Sequence, residues 1–130
     1  MKKLLVIAGS DSMGGAGIQA DIKTASSLGI HASTIVTAVT SQNTKGVQSI
    51  HFVPLKQIES QFMSIKDDVG FDAVKIGMVG DKKIAELLFN LLKDEGKPVI
   101  LDPVITAQSG DKLSDSNLFD TLFKIADMVT

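Results

Sequence analysis

A glycine-rich block follows the first apolar run of the chain. It spans Gly9–Gly17, directly after Leu4–Ala8. Its first glycine and Gly14 have the spacing of the first two glycines of a P-loop, but Gly15 stands where that motif requires lysine. The dinucleotide-binding pattern fails too, because Asp11 occupies its second glycine position. The block therefore predicts either a loop whose backbone N–H groups approach a ligand or a tight strand-to-helix turn.

Five side chains further along the sequence have functional groups that can bind a ligand. Gln42 presents a donor and an acceptor on one planar amide, which suits an aminopyrimidine edge, although simple solvation explains it equally well. Asp21 is either a solvated acid in a first helical turn or a carboxylate facing a site. Met78 can pack against a flat ring or within the core. Asp102, before a proline, is either a turn-forming residue or a ligand for phosphate-bound Mg²⁺. Lys75, inside an apolar run, either lines the site or caps an edge.

The composition narrows the classes of function. The chain has 130 residues, of which 44% are hydrophobic and 22% charged, which fits one globular domain at most. A net charge of -2 argues against a sequence-independent grip on nucleic acid. The absence of cysteine excludes disulfides, thiolate zinc sites and cysteine catalysis within this chain. No apolar run is long enough to span a bilayer, so we expect a cytoplasmic protein that binds neither nucleic acid nor membrane.

Short apolar runs alternate with amphipathic stretches along the chain. Strands are predicted at 4–8, 33–39, 47–53, 73–76, 98–101 and 127–130. Helices are predicted at 18–28, at 54–69, between a cap at Asp81 and a stop at Gly96, and from 114 onward. Helical spacing predicts one apolar face for each of three helices, including Ile22 and Ala25 on the first, Leu55, Ile58 and Phe62 on the second, and Leu118 and Leu122 on the last. The polar segment Thr40–Gly46 is predicted to be a loop. This alternation predicts a three-layer α/β/α fold with a mainly parallel sheet, which binds ligands outside the carboxyl ends of its strands. The last strand has no closing helix, so we expect a larger domain that has been cut.

Six segments together resemble the hydroxymethylpyrimidine/phosphomethylpyrimidine kinases of thiamin biosynthesis, a branch of the ribokinase-like superfamily. These segments are 7–11, 14–21, 37–44, 75–78, 101–104 and 109–111. The resemblance implies a ribokinase-like fold, ATP and Mg²⁺ as cofactors, and a homodimer. It also implies ATP-dependent phosphorylation of 4-amino-5-hydroxymethyl-2-methylpyrimidine and then of its monophosphate.

The same resemblance implies roles for particular residues. Gln42 is expected to hydrogen-bond the pyrimidine. The residues expected around the substrate beneath the glycine-rich block are Gly9, Ala16 and Asp21. Met78 and Val104 are expected to line the ring pocket, and Asp102 is the candidate metal ligand.

Residues 1–130 are expected to form the N-terminal, substrate-binding part of a single ribokinase-like domain. In the family, the nucleotide site, the anion hole and the catalytic base belong to the second half of the fold. No catalytic residue is therefore assigned in this chain, and these 130 residues alone are expected to lack kinase activity. Two alternatives stay open. One is a kinase for pyridoxine or a related B6 vitamer, against which Gln42-Asn43 argues. The other is a non-catalytic pyrimidine-binding module, if the natural chain ends at Thr130.

Overall fold

The computed structural model describes residues 1–104 and 116–130, which form one sheet flanked by helices. The strands are β1 (Lys3–Asp11), β2 (His31–Asn43), β3 (Gly46–Phe52), β4 (Ala73–Ile76), β5 (Val99–Leu101) and β6 (Met128–Val129). The helices are α1 (Gly17–Ser27), α2 (Leu55–Asp67), α3 (Lys82–Leu92) and α4 (Asp120–Phe123), with a 3₁₀ turn, Ser116–Phe119, before α4. The sheet order is β3-β2-β1-β4-β5-β6.

The sheet is mainly parallel, as expected. β2 and β3 form its antiparallel pair, and the other neighbouring pairs run parallel. Alternate residues of β4 contact helices on opposite faces of the sheet. Val74 and Ile76 are fully buried in a core shared with Phe62 of α2, whereas Lys75 between them bonds Asp21 of α1. Because successive strand residues face opposite sides, α1 covers one face of the sheet and α2 the other. The three-layer α/β/α prediction is confirmed.

Helices α2 and α3 lie close to their predicted positions. The predicted cap of α3 is confirmed, since Asp81 Oδ1 accepts a hydrogen bond from the Ile84 N–H at 2.8 Å. Ile58 and Phe62 are buried on α2 as predicted. Leu55, predicted on the same face, is 41% exposed, because the buried face begins one turn after this first helical residue.

The first and last helices differ more from expectation. On α1, Ala25 is buried, but Ile22, predicted on the same face, is 40% exposed. Near the C-terminus, Leu118 and Leu122 are buried as predicted. The regular helix there is short, and its predicted start at Ser114 lies outside the described residues. Among the described residues, no helix is long and apolar enough to cross a membrane.

The segment predicted as a loop at Thr40–Gly46 is largely strand, so that prediction is wrong. β2 continues to Asn43 and turns tightly into β3, with Asn43 paired to Gly46. The Asn43 side-chain oxygen accepts a hydrogen bond from the Lys45 N–H at 2.9 Å within the turn. Pairing with β3 satisfies backbone groups that a polar run would otherwise leave to water. Gln42 therefore projects from a hydrogen-bonded strand.

Candidate functional site

A cleft of about 670 Å³ opens where β1, β2, β4 and β5 end. This is the edge of a parallel sheet at which ligands bind in doubly wound folds. The structure brings every candidate binding residue and the candidate metal ligand to this one cleft. Its lining includes Gly9, Ala16, Asp21, Gln42, Met78, Asp102 and Val104.

Asp11 holds the glycine-rich segment together. Its side chain is buried, with Oδ1 accepting from the Met13 N–H at 2.9 Å and Oδ2 accepting from Gly15 and Ala16 at 2.9 and 2.8 Å. Its backbone carbonyl accepts from the Gly14 N–H at 2.9 Å. Successive N–H groups from 13 to 16 are therefore directed at one residue. They are already satisfied, so this arrangement favours the tight-turn interpretation of the block over N–H groups offered to a ligand.

The sequence analysis assigns no structural role to Asp11, which appears there as a mismatch to the dinucleotide-binding pattern and as the end of the 7–11 segment. The available signal was an acidic residue at the start of a glycine-rich turn, where its carboxylate can bond following backbone N–H groups. The strand also continues further than predicted. β1 runs to Asp11, with a register shift between Ala8 and Ser10 in its pairing with β2. Gly9 therefore lies on an irregular strand rather than in a loop.

Further hydrogen bonds fix this segment to α1 and β2. Gln19 Oε1 accepts from the Asp11 N–H at 2.8 Å, and Gln19 Nε2 donates to Ser10 Oγ at 2.7 Å. Ser12 Oγ donates to the Gln42 carbonyl and accepts from the Gln42 N–H, each at 2.8 Å. The segment is thus bonded directly to the backbone of the strand that carries the candidate pyrimidine ligand.

Met78 is held by backbone and side-chain contacts. Thr37 Oγ1 donates to the Met78 carbonyl at 2.7 Å, and both residues are buried. A Cβ at Gly9 would lie 2.8 Å from Met78 Sδ, so a side chain at Gly9 would displace the thioether. Met78 packs with Ala38, and Val104 packs partly against the same pair. Met78 is therefore a core residue that also lines the cleft, which fits both interpretations of the sequence.

The Gln42 side chain has one end committed and one end open. Its Nε2 donates to Thr40 Oγ1 at 2.8 Å, and that hydroxyl donates in turn to the Ser10 carbonyl at 2.8 Å. Its Oε1 accepts no hydrogen bond from the described part of the chain. The amide orientation is thus set by Thr40, and Oε1 remains as an acceptor for a ligand N–H.

Asp21 forms an ion pair in the cleft. Lys75 Nζ lies 2.9 Å from Asp21 Oδ2 and 3.1 Å from Oδ1, and each side chain is about one-fifth exposed. The interpretation of Asp21 as a solvated first-turn acid is therefore wrong, because β4 supplies a cation beneath it. The sequence allowed Lys75 either to line the site or to cap an edge of the sheet. In the structure, Lys75 lines the cleft.

Asp102 follows β5 at the edge of the cleft and is half-buried. Its N–H donates to the Ile76 carbonyl at 2.8 Å, and its carboxylate accepts no hydrogen bond from the described residues. Within residues 1–104 and 116–130, no group of three His, Cys, Asp or Glu side chains is arranged around a metal position. A single carboxylate of this kind suits a Mg²⁺ ion that is coordinated mainly by ligand phosphates. It does not suit a Mg²⁺ site whose ligands all come from the protein.

Comparison with known proteins assigns the chain to a family. The family described as phosphomethylpyrimidine kinase matches residues 11–130. The chain belongs to this family. It is 44% identical over 137 residues to the hydroxymethylpyrimidine/phosphomethylpyrimidine kinase of Haemophilus influenzae, covering 100% of this chain and 50% of that protein. It is 42% identical to the Streptomyces coelicolor enzyme of the same name, covering 92% and 44%. The chain spans half or less of the length of these curated relatives.

Solved structures give the same fold. A phosphomethylpyrimidine kinase from Clostridium difficile 630 superposes with a TM-score of 0.89 at 38% identity, covering 99% of this chain and 58% of that one. A Staphylococcus aureus pyridoxal kinase in complex with pyridoxal superposes with a TM-score of 0.85 at 27% identity, covering 99% and 48%. The ribokinase-like fold is thus established for this member of the phosphomethylpyrimidine kinase family. The 109–111 segment of the sequence resemblance lies outside the described residues.

Proposed function

We propose that this chain supplies the pyrimidine-binding part of an ATP-dependent kinase of thiamin biosynthesis. The enzyme phosphorylates 4-amino-5-hydroxymethyl-2-methylpyrimidine and then its monophosphate. One observation carries the proposal: a single cleft collects every candidate residue, with an open amide acceptor at Gln42 and a thioether at Met78. The family match supports the reaction class.

The cleft offers the chemistry that a substituted aminopyrimidine needs. Met78 and Val104 give apolar contact to the ring faces, and Gln42 Oε1 accepts a hydrogen bond from an amino group. Gly9 and Ala16 leave space for the ring, because neither has a side chain larger than methyl. Asp21, held by Lys75, provides a second polar edge. These residues bind and orient the acceptor, which is the main protein contribution to phosphoryl transfer.

Asp102 is the residue that would hold phosphate-bound Mg²⁺ at this cleft. The ion would neutralise charge on the nucleotide phosphates when ATP is bound. We further propose that residues 1–130 form the substrate-binding part of one domain and contain no catalytic residue. Binding to this chain is therefore the primary measurement, and turnover is a separate one.

We also propose that the protein acts in the cytoplasm as a homodimer and binds neither nucleic acid nor membrane. The net charge of -2 supports the absence of nucleic-acid binding. The resemblance to the family supports the homodimer. Sedimentation of the protein in solution tests the dimer.

Pyridoxal is the alternative substrate, and the superposition on a pyridoxal kinase bound to pyridoxal favours considering it. Calorimetric titration of the protein with the aminopyrimidine and with pyridoxal decides between them. We expect the aminopyrimidine to bind at least tenfold tighter, about 1.4 kcal/mol, since only it carries an amino group for Gln42 Oε1. Tighter binding of pyridoxal would reverse the assignment, and binding of neither compound would refute the proposed function.

A further inference from the structure

Lys75 is an ionisable residue inside an otherwise apolar strand. Its neighbours Val74 and Ile76 are fully buried, and its paired residues on β1 and β5 are Val6 and Ile100. Its Nζ lies 3.2 Å from the position a Cβ would occupy at Gly77. The glycine therefore leaves the space through which the ammonium reaches the cleft. A charge placed at this depth needs a partner, and Asp21 is the partner.

The balance of charge in the cleft depends on this pair. Among the described residues, the charged side chains lining the cleft are Asp11 of β1, Asp21 of α1, Lys75 of β4 and Asp102 after β5. The uncharged groups Thr40, Gln42 and Asn43 face it from β2. Lys23, the lysine of α1, instead donates to the Gly14 carbonyl at 2.9 Å. Lys75 is thus the cation of the described lining, against three carboxylates.

We propose that Lys75 is a specificity-determining and positioning residue that makes the cleft select the neutral aminopyrimidine ring over its protonated form. The proposal rests on the proposed function, because it concerns the same ligand in the same cleft. Lys75 acts through Asp21: by binding both carboxylate oxygens it fixes their direction and cancels their charge. The ring then meets an ion pair in place of a bare carboxylate.

The physical reason lies in the basicity of the ligand. Aminopyrimidines accept a proton on a ring nitrogen in weakly acidic solution. An unpaired carboxylate in a partly enclosed cleft attracts a cationic ring, because the local dielectric constant is lower than that of water. Paired with Lys75, the Asp21 carboxylate gives the cation no such advantage. The Asp11 carboxylate already accepts three backbone N–H groups. The Asp102 carboxylate lies at the edge of the cleft and is partly exposed to water, which weakens its attraction for a cation. Removing the lysine should therefore change which protonation state of the ligand is bound, and not only how tightly it is bound.

The test is calorimetric titration of 4-amino-5-hydroxymethyl-2-methylpyrimidine into wild type and Lys75→Met at about pH 5 and about pH 8. Wild type should bind more weakly at the lower pH, where the ligand is protonated. Lys75→Met should bind roughly tenfold more weakly than wild type at about pH 8. At about pH 5 it should bind more tightly than at the higher pH, so that the pH dependence changes sign.

Two further variants separate charge from structure. Lys75→Met combined with Asp21→Asn removes both charges and should restore the wild-type sign of the pH dependence. Lys66→Met is the matched control, because it removes the exposed lysine of the Lys66–Glu95 pair, at 3.1 Å, and neither residue lines the cleft. It should leave both affinities unchanged. Melting temperatures check folding, and Lys75→Gln replaces Lys75→Met if the latter unfolds.

A permanently cationic probe gives a reading that does not depend on pH. An aminopyrimidine methylated on a ring nitrogen should bind Lys75→Met more tightly than wild type. If Lys75→Met keeps the wild-type pH dependence and does not gain affinity for this probe, the inference is overturned while the proposed function stands. If wild type binds the parent pyrimidine at neither pH, the proposed function fails first and the inference fails with it.

Discussion

The glycine-rich segment and the layer formed by α2 and α3 are held by different forces. In the segment, one buried carboxylate, that of Asp11, gathers backbone N–H groups from three residues, and glycines permit close backbone contacts. In the layer, apolar side chains such as Phe62, Ile84 and Leu88 fill one continuous core. The first region depends on individual atoms in fixed directions, and the second depends on volume and apolar area.

This difference determines how each region should respond to substitution. Loss of one acceptor in the segment leaves several N–H groups without their partner at once, which no neighbour can replace. Loss of methyl groups in the layer leaves a cavity that surrounding side chains partly fill. The segment should therefore couple stability to ligand binding, whereas the layer should affect stability alone.

Asp11→Ala should have the largest effect. It removes the acceptor of three hydrogen bonds to a charged group, and we expect a loss of about 2–4 kcal/mol in the free energy of unfolding. Pyrimidine binding should be lost with it, since Ala16 and Gly15 line the cleft. Urea denaturation and calorimetric titration measure the two effects.

Leu88→Ala, in the other region, is the matched control for Asp11→Ala. It should lower the free energy of unfolding by a similar amount, about 2–5 kcal/mol, while the folded protein keeps its affinity for the pyrimidine. Asp11→Asn sharpens the result, because the amide has one oxygen where the carboxylate has two. It should fall between wild type and Asp11→Ala. Equal affinities of Asp11→Ala and Leu88→Ala would show that the comparison is wrong.

Gly17→Ala should have the next largest effect. Gly17 has φ +56°, and a Cβ there would collide with the Gly9 carbonyl oxygen, which belongs to the backbone and cannot move away cheaply. We expect a loss of about 1–3 kcal/mol in unfolding free energy, measured by urea denaturation.

Gly15→Val is the contrasting change for Gly17→Ala. A Cβ at Gly15 lies 3.0 Å from the end of the Met13 side chain, which is 48% exposed and can move. In the proposed kinase, this substitution should lower turnover more than it lowers the melting temperature. A large fall in melting temperature at retained specific activity would mean that Gly15 serves only the turn.

The two regions also differ in how far the sequence predicts them. The layer follows from local patterns: the helical spacing of Ile58 and Phe62 predicts their burial, and Asp81 predicts a cap. The strand at 73–76 is predicted at the bounds observed, because an apolar run ends there at Gly77. In these elements the local pattern and the tertiary packing favour the same conformation.

The cleft does not follow from local patterns. The Lys75–Asp21 pair joins residues 54 positions apart, so no window of sequence contains it. The strand character of Thr40–Asn43 depends on pairing with β3, which overrides the turn preference of polar residues. The position of the cleft follows from topology. The choice of Val104 as a lining residue came from family resemblance, and so did the preference for pyrimidine binding over solvation at Gln42. Their contacts with a ligand stay predictions.

Gln42→Ala tests whether the Gln42 amide binds the pyrimidine. Removing the amide leaves a ligand amino group without its acceptor, and we expect pyrimidine binding to weaken by about 1–3 kcal/mol. Calorimetric titration measures it. Gln57→Ala is the matched control, since Gln57 is exposed on α2 and lies outside the cleft lining. An unchanged affinity for Gln42→Ala would remove Gln42 from the site.

Asp72 gives the smallest expected effect and is the exposed counterpart of Asp11. Its carboxylate accepts a single backbone hydrogen bond, from the Lys3 N–H at 2.8 Å, and this bond lowers the pKa of Asp72, with further lowering from the charges of Lys2 and Lys97. A carboxyl whose pKa is lower in the folded than in the unfolded chain stabilises the fold above its ordinary pKa. That contribution is lost as pH falls through the lowered value.

Asp72→Asn should therefore lower the urea midpoint slightly at neutral pH, and the difference from wild type should vanish in acid. It should also shrink in high salt, which screens exposed charges. A difference that stays constant as the pH falls would mean that the side chain acts through its shape and not through its charge.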